Sequence, residues 1–486
     1  MSLTQIKHEN GKPDYGAEIE ARDDEPKSIS PVEATLAKSR PVVTPITRRR
    51  TAGVLRSLVS VLVGSLVLRV AAQTMGLMVL YYLEYISNNH FTISHTETGF
   101  IVASFFIAEL VGAPVLGAMS DRYGRKIFII LGPLLGAIAV QITSLTVVIW
   151  LLVITRLLEG LSTASSIPAT LGYISEMTAG RPKLRARIVG LFEITLVGGM
   201  ALGAFIGGQL WKHFGTPRTI AGIEIVSPAF AINGLIYLAS LAIFVWGLKN
   251  SRRKQNSSAR GEHSRGELKR FLMILRSPSV WKFVPAWLAI FSIIGLWTNH
   301  SPRLLTGESH HIDQLLMGNI TPEKFGTGFG ILAVFFAVGV LAWSFYLSRY
   351  RKTSVMLVAT GGLFLTLLTV YGFNQLSSFS SALYYPLMGC LLLGLFVLSG
   401  FTPAALTYLA DVTESYKEAR GSIMGLYSLF LGIGQFIGTT VGGQFADRGG
   451  IDGLLLLSAV LGVITVFTLL GLRRQESPAP SSHRSR

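Results

Sequence analysis

Five charged residues stand inside apolar stretches in the first half of this chain: Arg69, Glu109, Arg156, Glu159 and Glu193. An ionised group at the centre of a bilayer costs about 2.5–3.5 kcal/mol on insertion scales, so such groups face a cavity or a partner. The chemistry open to the carboxyls is gain and loss of a proton, because a low-dielectric interior favours the neutral form of an acid. Glu109 is the first candidate. It lies twelve residues before Asp121, and Arg69 lies thirteen beyond Arg56. At about 1.5 Å per residue both sit about 20 Å from the same face, a depth that allows them to pair. Glu159 is the second candidate, three residues from Arg156 and so on the same helix face. A static Arg–Glu pair that only stabilises the fold is the competing reading. Glu193 follows Arg185 by about two helical turns. The second half has almost no charge at such depth and supplies Trp297, Asn299, His300, Phe335, Phe336, Tyr427 and Gln435. A charged lobe opposite an aromatic one suits an amphipathic organic molecule.

The elements that must position these residues follow from composition. Of 486 residues, 50% are hydrophobic and 14% charged, against about a quarter charged in a soluble domain. Mean hydropathy is +0.49. Apolar runs of about 20 residues recur, long enough to cross a hydrocarbon core of about 30 Å as helix. They are too long for barrel strands and lack period two. The expected fold is an all-α membrane protein with twelve spans: 57–85, 98–119, 127–146, 147–175, 187–210, 226–248, 280–298, 325–347, 354–373, 381–411, 421–446 and 452–472. The expected division is a cytoplasmic tail 1–52, disordered to about Ser39, a six-helix bundle 53–248, a basic linker 249–279, a second bundle 280–472 and a tail 473–486. The first fifty residues hold no apolar h-region, so no cleavable signal peptide is expected.

Charge orients the spans. Connections 120–126, 176–186, 249–279, 348–353 and 412–420, with flanks to Arg187 and Lys282, hold 22 Lys plus Arg. The opposite connections hold five: Lys212, Arg218, Arg303, Lys324 and Arg448. This bias predicts both termini in the cytoplasm and explains the net charge of +16 without nucleic-acid binding. The linker clusters Ser251–Lys254 and Lys269–Arg270 read as solvated, with an anionic-lipid contact as the alternative. Cys390, the one cysteine, sits in an apolar run and reads as a small buried hydrophobe. His310-His311 read as part of a solvated outer loop. Tyr81 and Tyr82 read as aromatics at the outer membrane interface, and Glu84 at that boundary carries no assigned role. No metal or cofactor motif, nucleotide loop or nucleophile motif is present, so neither an enzyme nor an ATP-driven pump is expected.

Two patterns go further. The halves repeat: residues 168–215 align without a gap on 403–450, at an offset of 235, with 16 of 48 positions identical. Gly199, Gly203, Gly207 and Gly208 fall on Gly434, Gly438, Gly442 and Gly443. Glycines spaced by four share a helix face and predict close helix packing. Duplicated six-helix halves are an architecture in which one half rocks against the other around a central site. Between spans two and three lies Gly117-Ala-Met-Ser-Asp121-Arg122-Tyr-Gly124-Arg125-Lys126, which turns one helix into the next and sets charges beside neighbouring helix ends. Ser348-Arg-Tyr-Arg-Lys352 is its degenerate echo.

From about residue 55 to 472 the chain resembles a major facilitator superfamily transporter of the drug/proton antiporter branch. The loop 117–126 resembles that family's signature, with Gly117, Asp121, Arg122, Gly124, Arg125 and Lys126 in place. Arg156-Leu-Leu-Glu-Gly160 resembles the span-four motif of proton-coupled members, with Glu159 replacing the usual glutamine. Gly199–Gly208 resembles the glycine motif of the antiporters, with Ala204 where the motif has proline. The resemblance implies that the loop latches the halves in the outward-open state, with Glu176 as acidic partner for Arg122 or Arg125. It implies a monomer in the plasma membrane that exchanges a small organic substrate for protons by alternating access. A proton symporter or uniporter for uptake, and a membrane sensor that kept the fold, are the rival readings.

Overall fold

The computed structural model describes residues 45–220, 223–249, 278–307, 314–412 and 420–474; the side chains of 420–428 are not among what it describes. The terminal tails, most of the basic linker and His310-His311 therefore lie outside the described residues. In chain order the helices are α1 (Pro45–Asn89), α2 (His95–Tyr123), α3 (Arg125–Ser144), α4 (Ile149–Met177), α5 (Pro182–Phe214), α6 (Pro228–Gly247), α7 (Pro278–Thr306), α8 (Pro322–Tyr346), α9 (Lys352–Asn374), α10 (Tyr384–Leu398), α11 (Phe401–Val412) and α12 (Arg420–Arg473). Among the described residues, ten helical stretches are long and apolar enough to cross a membrane. Large apolar side chains point away from the helix contacts, among them Trp150, Trp246, Phe345 and Tyr385, each about four-fifths exposed (78–81%). A surface of that kind faces lipid, not water, so the protein is an integral, multi-pass membrane protein.

The local chemistry of the helix ends is legible. Ser94 and Glu97 form a capping box at the start of α2: Glu97 N–H donates to Ser94 Oγ (3.1 Å) and Ser94 N–H to Glu97 Oε2 (2.8 Å). Proline opens α5, α6 and α8, where its missing N–H costs nothing. Gly124 separates α2 from α3 at φ 108°, ψ 133°, a conformation closed to residues with a Cβ.

Within α12 the backbone leaves helical geometry at Gly450 (φ 56°, ψ −130°), between the expected spans 421–446 and 452–472. The twelve-span expectation meets two differences. Helix α4 is 29 residues long but is not among the ten most apolar stretches, because Arg156, Glu159 and a run of buried Ser and Thr dilute it. The expected span 381–411 is broken at Ser399-Gly400 into α10 and α11. The all-α expectation also needs correction: Arg218–Ile220 pairs antiparallel with Ile223–Ile225, two three-residue strands in which Thr219 and three isoleucines are β-branched.

Buried apolar side chains form two main clusters, one drawn from 58–248 and the other from 280–472. Small residues set the tightest contacts. Gly199 lies on Arg69 Cβ, Gly203 on the Val70 carbonyl and Gln73 Cβ, and Gly207 on the Thr74 carbonyl, so α5 lies close along α1. Thr74 Oγ1 donates to the Gly203 carbonyl across this seam (3.0 Å). Gly434, Gly438 and Gly442 seat α12 on Phe291, Ser292 and Leu296 of α7 in the same way. Contacts between the two clusters run along α5–α8 and α2–α12. A third, small cluster bridges Leu77, Tyr81 and Ala204 to Phe325 and Phe329 of α8.

Three side chains lie elsewhere than expected. Tyr82 is fully buried and donates to the Thr146 carbonyl (2.6 Å), and Tyr81 is 2% exposed; neither is a lipid-facing interface aromatic. Cys390 is exposed, because α10 is peripheral and buries only Gly394.

Candidate functional site

At the loop end of the bundle, Arg125 is the centre of the signature. It pairs with Asp121, lies 3.4 Å from Glu176 Oε1 through Nε, and donates to Ser120 Oγ (3.1 Å). Gly172 of α4 makes room, since a Cβ there would run into the guanidinium. Gly117 likewise sits against Pro168 of α4. Lys126 donates to the carbonyls of Val245 (3.2 Å) and Leu248 (2.7 Å), closing the C-terminal end of α6 where a cation is favoured. Arg122 lies over the ring of Tyr123 (5.5 Å).

At mid-depth, Gly160 brings α4 against the Phe105 carbonyl and Glu109 N of α2. That approach sets the α4 charges beside α2. Arg156 and Glu159 form an ion pair three residues apart, each about 5% exposed (5% and 4%), and the Arg156 guanidinium lies 5.1 Å over the Phe105 ring. Arg69 is within electrostatic reach of Glu109, Glu193 and Tyr237. Tyr237, fully buried on α6, also reaches Arg156 and Glu159. Electrostatics thus link the six groups across α1, α2, α4, α5 and α6, with Arg69 and Glu109 half-buried and Glu193 exposed. Arg69 and Glu109 do not form the close pair that equal depth suggested: among the described residues no ion pair joins them. Arg69 leaves α1 beside Gly199 of α5, where Glu193 is a second carboxylate in reach, so its charge is shared. Arg156–Glu159 has the static geometry; Glu109 has the uncommitted one.

The aromatic side of the site is more tied than the sequence suggests. Trp297 donates to Ser458 Oγ (2.9 Å), and Asn299 donates to the Gly295 carbonyl and Thr439 Oγ1 (both 2.9 Å). These bonds lie within the second cluster's helices and fix α7 to α12. His300 is fully buried with Nε2 on the Thr439 carbonyl (2.8 Å). Gln435 is half-buried, with its backbone under Gly295. The Tyr427 side chain lies outside the described residues.

Sequence reading missed a set of contacts at the opposite end of the bundle, where the two clusters touch. Arg303 of α7, 4% exposed, donates through Nε to Glu84 Oε2 of α1 (2.6 Å), through Nη2 to the Ile93 carbonyl (2.7 Å), and through Nη1 to the Ser94 carbonyl (3.1 Å) and Thr98 Oγ1. Asp447 of α12 accepts from His95 N–H (2.6 Å), Thr96 N–H (2.9 Å) and the Thr96 hydroxyl. Lys212 pairs with Glu323 (3.2 Å), and Tyr81 donates to the Pro322 carbonyl (3.3 Å). Glu84, set aside as a boundary residue, belongs to this closure. One signal was available: Lys212 and Asp447 occupy the same position of the internal repeat (447 − 212 = 235).

Fold and site together define a helical membrane carrier: charges at mid-depth, two packed groups of helices, and a closure between them at one end. The family model described as Major Facilitator Superfamily matches residues 59–389 and 319–486. Multidrug resistance protein 1 of Bacillus subtilis is 24% identical over 373 residues, 74% of this chain and 83% of that protein. Tetracycline resistance protein, class C, of Escherichia coli is 33% identical over 159 residues, 32% of this chain and 37% of that one. Among solved structures, the nucleoside transporter NupG superposes with TM-score 0.65 at 12% identity, covering 86% of this chain and 98% of that one. A bacterial homologue of the lysosomal transporter Spinster, in an inward-facing and unoccupied conformation, gives 0.65 at 14%, covering 88% and 99%. The chain belongs to the major facilitator superfamily. It is a membrane transporter resembling the drug/proton antiporters.

Proposed function

We propose that the protein exports an amphipathic organic molecule in exchange for protons, by alternating access between two six-helix halves, 53–248 and 280–472. In this reading α4 is a crossing despite its polar residues, and α12 is two crossings divided at Gly450, which gives twelve. At about 1.5 Å per residue, the parts of α12 on either side of Gly450, 420–449 and 451–473, are each long enough for one crossing. The charge bias puts the loop end and both termini on the cytoplasmic side, so the closure at Arg303 and Asp447 faces outward. The observation that carries the proposal is the mid-depth cluster, in which Glu109 lies beside Arg69 without being bound to it. A carboxyl of that kind can release a proton when substrate arrives and regain it when substrate leaves. The names of the multidrug and tetracycline resistance relatives favour export.

Uptake is the second reading. Ala204 stands where the antiporter motif has proline, and an arabinose–proton symporter of Bacillus subtilis is 28% identical over 116 residues. Liposomes with an imposed pH gradient separate the two. Antiport moves lipophilic cations or antibiotics against the proton flow; symport moves sugars or organic acids with it. Glu109→Gln is expected to abolish pH-driven transport and to spare substrate binding. Normal proton-driven transport by that variant removes Glu109 from the mechanism.

A further inference from the structure

We propose that the first turn of α2, residues 93–98, is the lock of the outer closure, gripped by Arg303 and Asp447, and that the pseudo-symmetric seam at the start of α8 is its weak counterpart. The inference rests on the two-lobe reading above, but not on proton coupling or on any substrate.

The two seams share one plan. Gly208 of α5 lies on the Pro322 carbonyl and Glu323 Cα of α8; its repeat mate Gly443 of α12 lies on His95 and Thr96 of α2. Lys212, four residues after Gly208, binds Glu323; Asp447, four after Gly443, binds His95 and Thr96. Tyr81 follows Arg69 by twelve residues, and Arg303 follows Phe291 by twelve, where Arg69 and Phe291 are the residues that Gly199 and Gly434 pack upon. Tyr81 reaches one α8 carbonyl, whereas Arg303 reaches two carbonyls, a hydroxyl and a carboxylate. Each seam therefore has a glycine contact, a charged residue one turn on, and a long polar side chain from the neighbouring helix.

The chemistry on the two sides differs in strength. Lys212 is about half exposed (48%), and an exposed ion pair contributes little. Arg303 is buried, with each of its three guanidinium nitrogens donating. Asp447 puts a full negative charge on two N–H groups at the N-terminus of α2, where the helix dipole favours an anion. The capping box of Ser94 and Glu97 holds that turn in shape, so its remaining N–H and C=O groups are presented to the other half. Donors and acceptors of one turn are thus engaged from two helices of the opposite lobe. When the outer end opens, all of these groups can be hydrated, so the lock can be reversible.

The test is a distance measurement in nanodiscs, without substrate or gradient. Spin labels go on Asn89→Cys and Gln375→Cys, both exposed at this end, in a Cys390→Ser background. The wild type is expected to show mainly the short distance. Asp447→Asn and Arg303→Gln are each expected to raise the ratio of long to short at least about tenfold, while Lys212→Ala changes it less than about threefold. Thr96→Val tests the same turn without touching a buried charge, should Arg303→Gln fail to fold, and is expected to shift the ratio in the same direction. An unchanged distribution in Asp447→Asn and Thr96→Val, or a Lys212→Ala shift as large as theirs, overturns the proposal. Shifts as expected in a protein that shows no proton-driven transport leave the lock standing and remove only the coupling reading.

Discussion

At the residue scale, the charged groups divide by how firmly they are held. Arg156 and Glu159 are buried against each other, and removing one partner of such a pair leaves the other charge stranded, at a cost of about 3–5 kcal/mol. Glu159→Gln is therefore expected to lower the melting temperature in detergent far more than Glu109→Gln. Equal melting temperatures for the two variants would show that the α4 pair is not structural. The i, i+3 spacing made this pair legible in the sequence. Glu84–Arg303 was not legible, because its partners are 219 residues apart and nothing local in either segment names the other. Arg69 and Glu109 were placed at one depth by counting residues, but counting says nothing about the direction in which a side chain leaves its helix.

At the element scale, glycine spacing decides how near the helices come. A Cβ at Gly438 would strike the Ser292 carbonyl, whereas nothing lies within 4 Å of a Cβ at Gly361. Gly438→Ala is expected to cost about 1–3 kcal/mol through overpacking. Gly361→Ala is expected to be neutral or to stabilise by up to about 1 kcal/mol through helix propensity. Thermal unfolding of the purified variants checks both; a Gly438→Ala protein as stable as Gly361→Ala would mean that α12 does not pack closely on α7. The helices themselves were legible, because apolar runs of this length admit one structure in lipid. The hairpin at 218–225 was not, since three-residue strands leave too short a pattern beside helices of 20 residues or more. The break at Gly450 was legible, because Gly449-Gly450 interrupts an apolar run between the expected spans 421–446 and 452–472.

At the scale of the whole molecule, the internal repeat accounts for most of the architecture. The same glycine plan seats α5 on α1 and α12 on α7, and leads one residue further to the opposite lobe at α8 and α2. What the repeat does not copy is charge: the mid-depth cluster belongs to one half, and Asp447 replaces Lys212 at the outer seam. The loop at 117–126 is the second place at which we propose control of the cycle. Asp121 holds Arg125, which also lies against Glu176. Asp121→Asn is expected to loosen the loop-end latch and shift the balance of inward and outward accessibility to a thiol probe. Unchanged accessibility together with unchanged transport would remove the loop from the conformational cycle. The central claim is that two helical lobes exchange an organic molecule for protons around an acid at mid-depth, Glu109. Its most direct test is proton flux from liposomes holding the purified protein and a pH gradient, followed as lipophilic cations or antibiotics are added. The account predicts substrate-dependent proton release in the wild type and none in Glu109→Gln. Equal proton release from both, or none from either with any of the compounds, would contradict it.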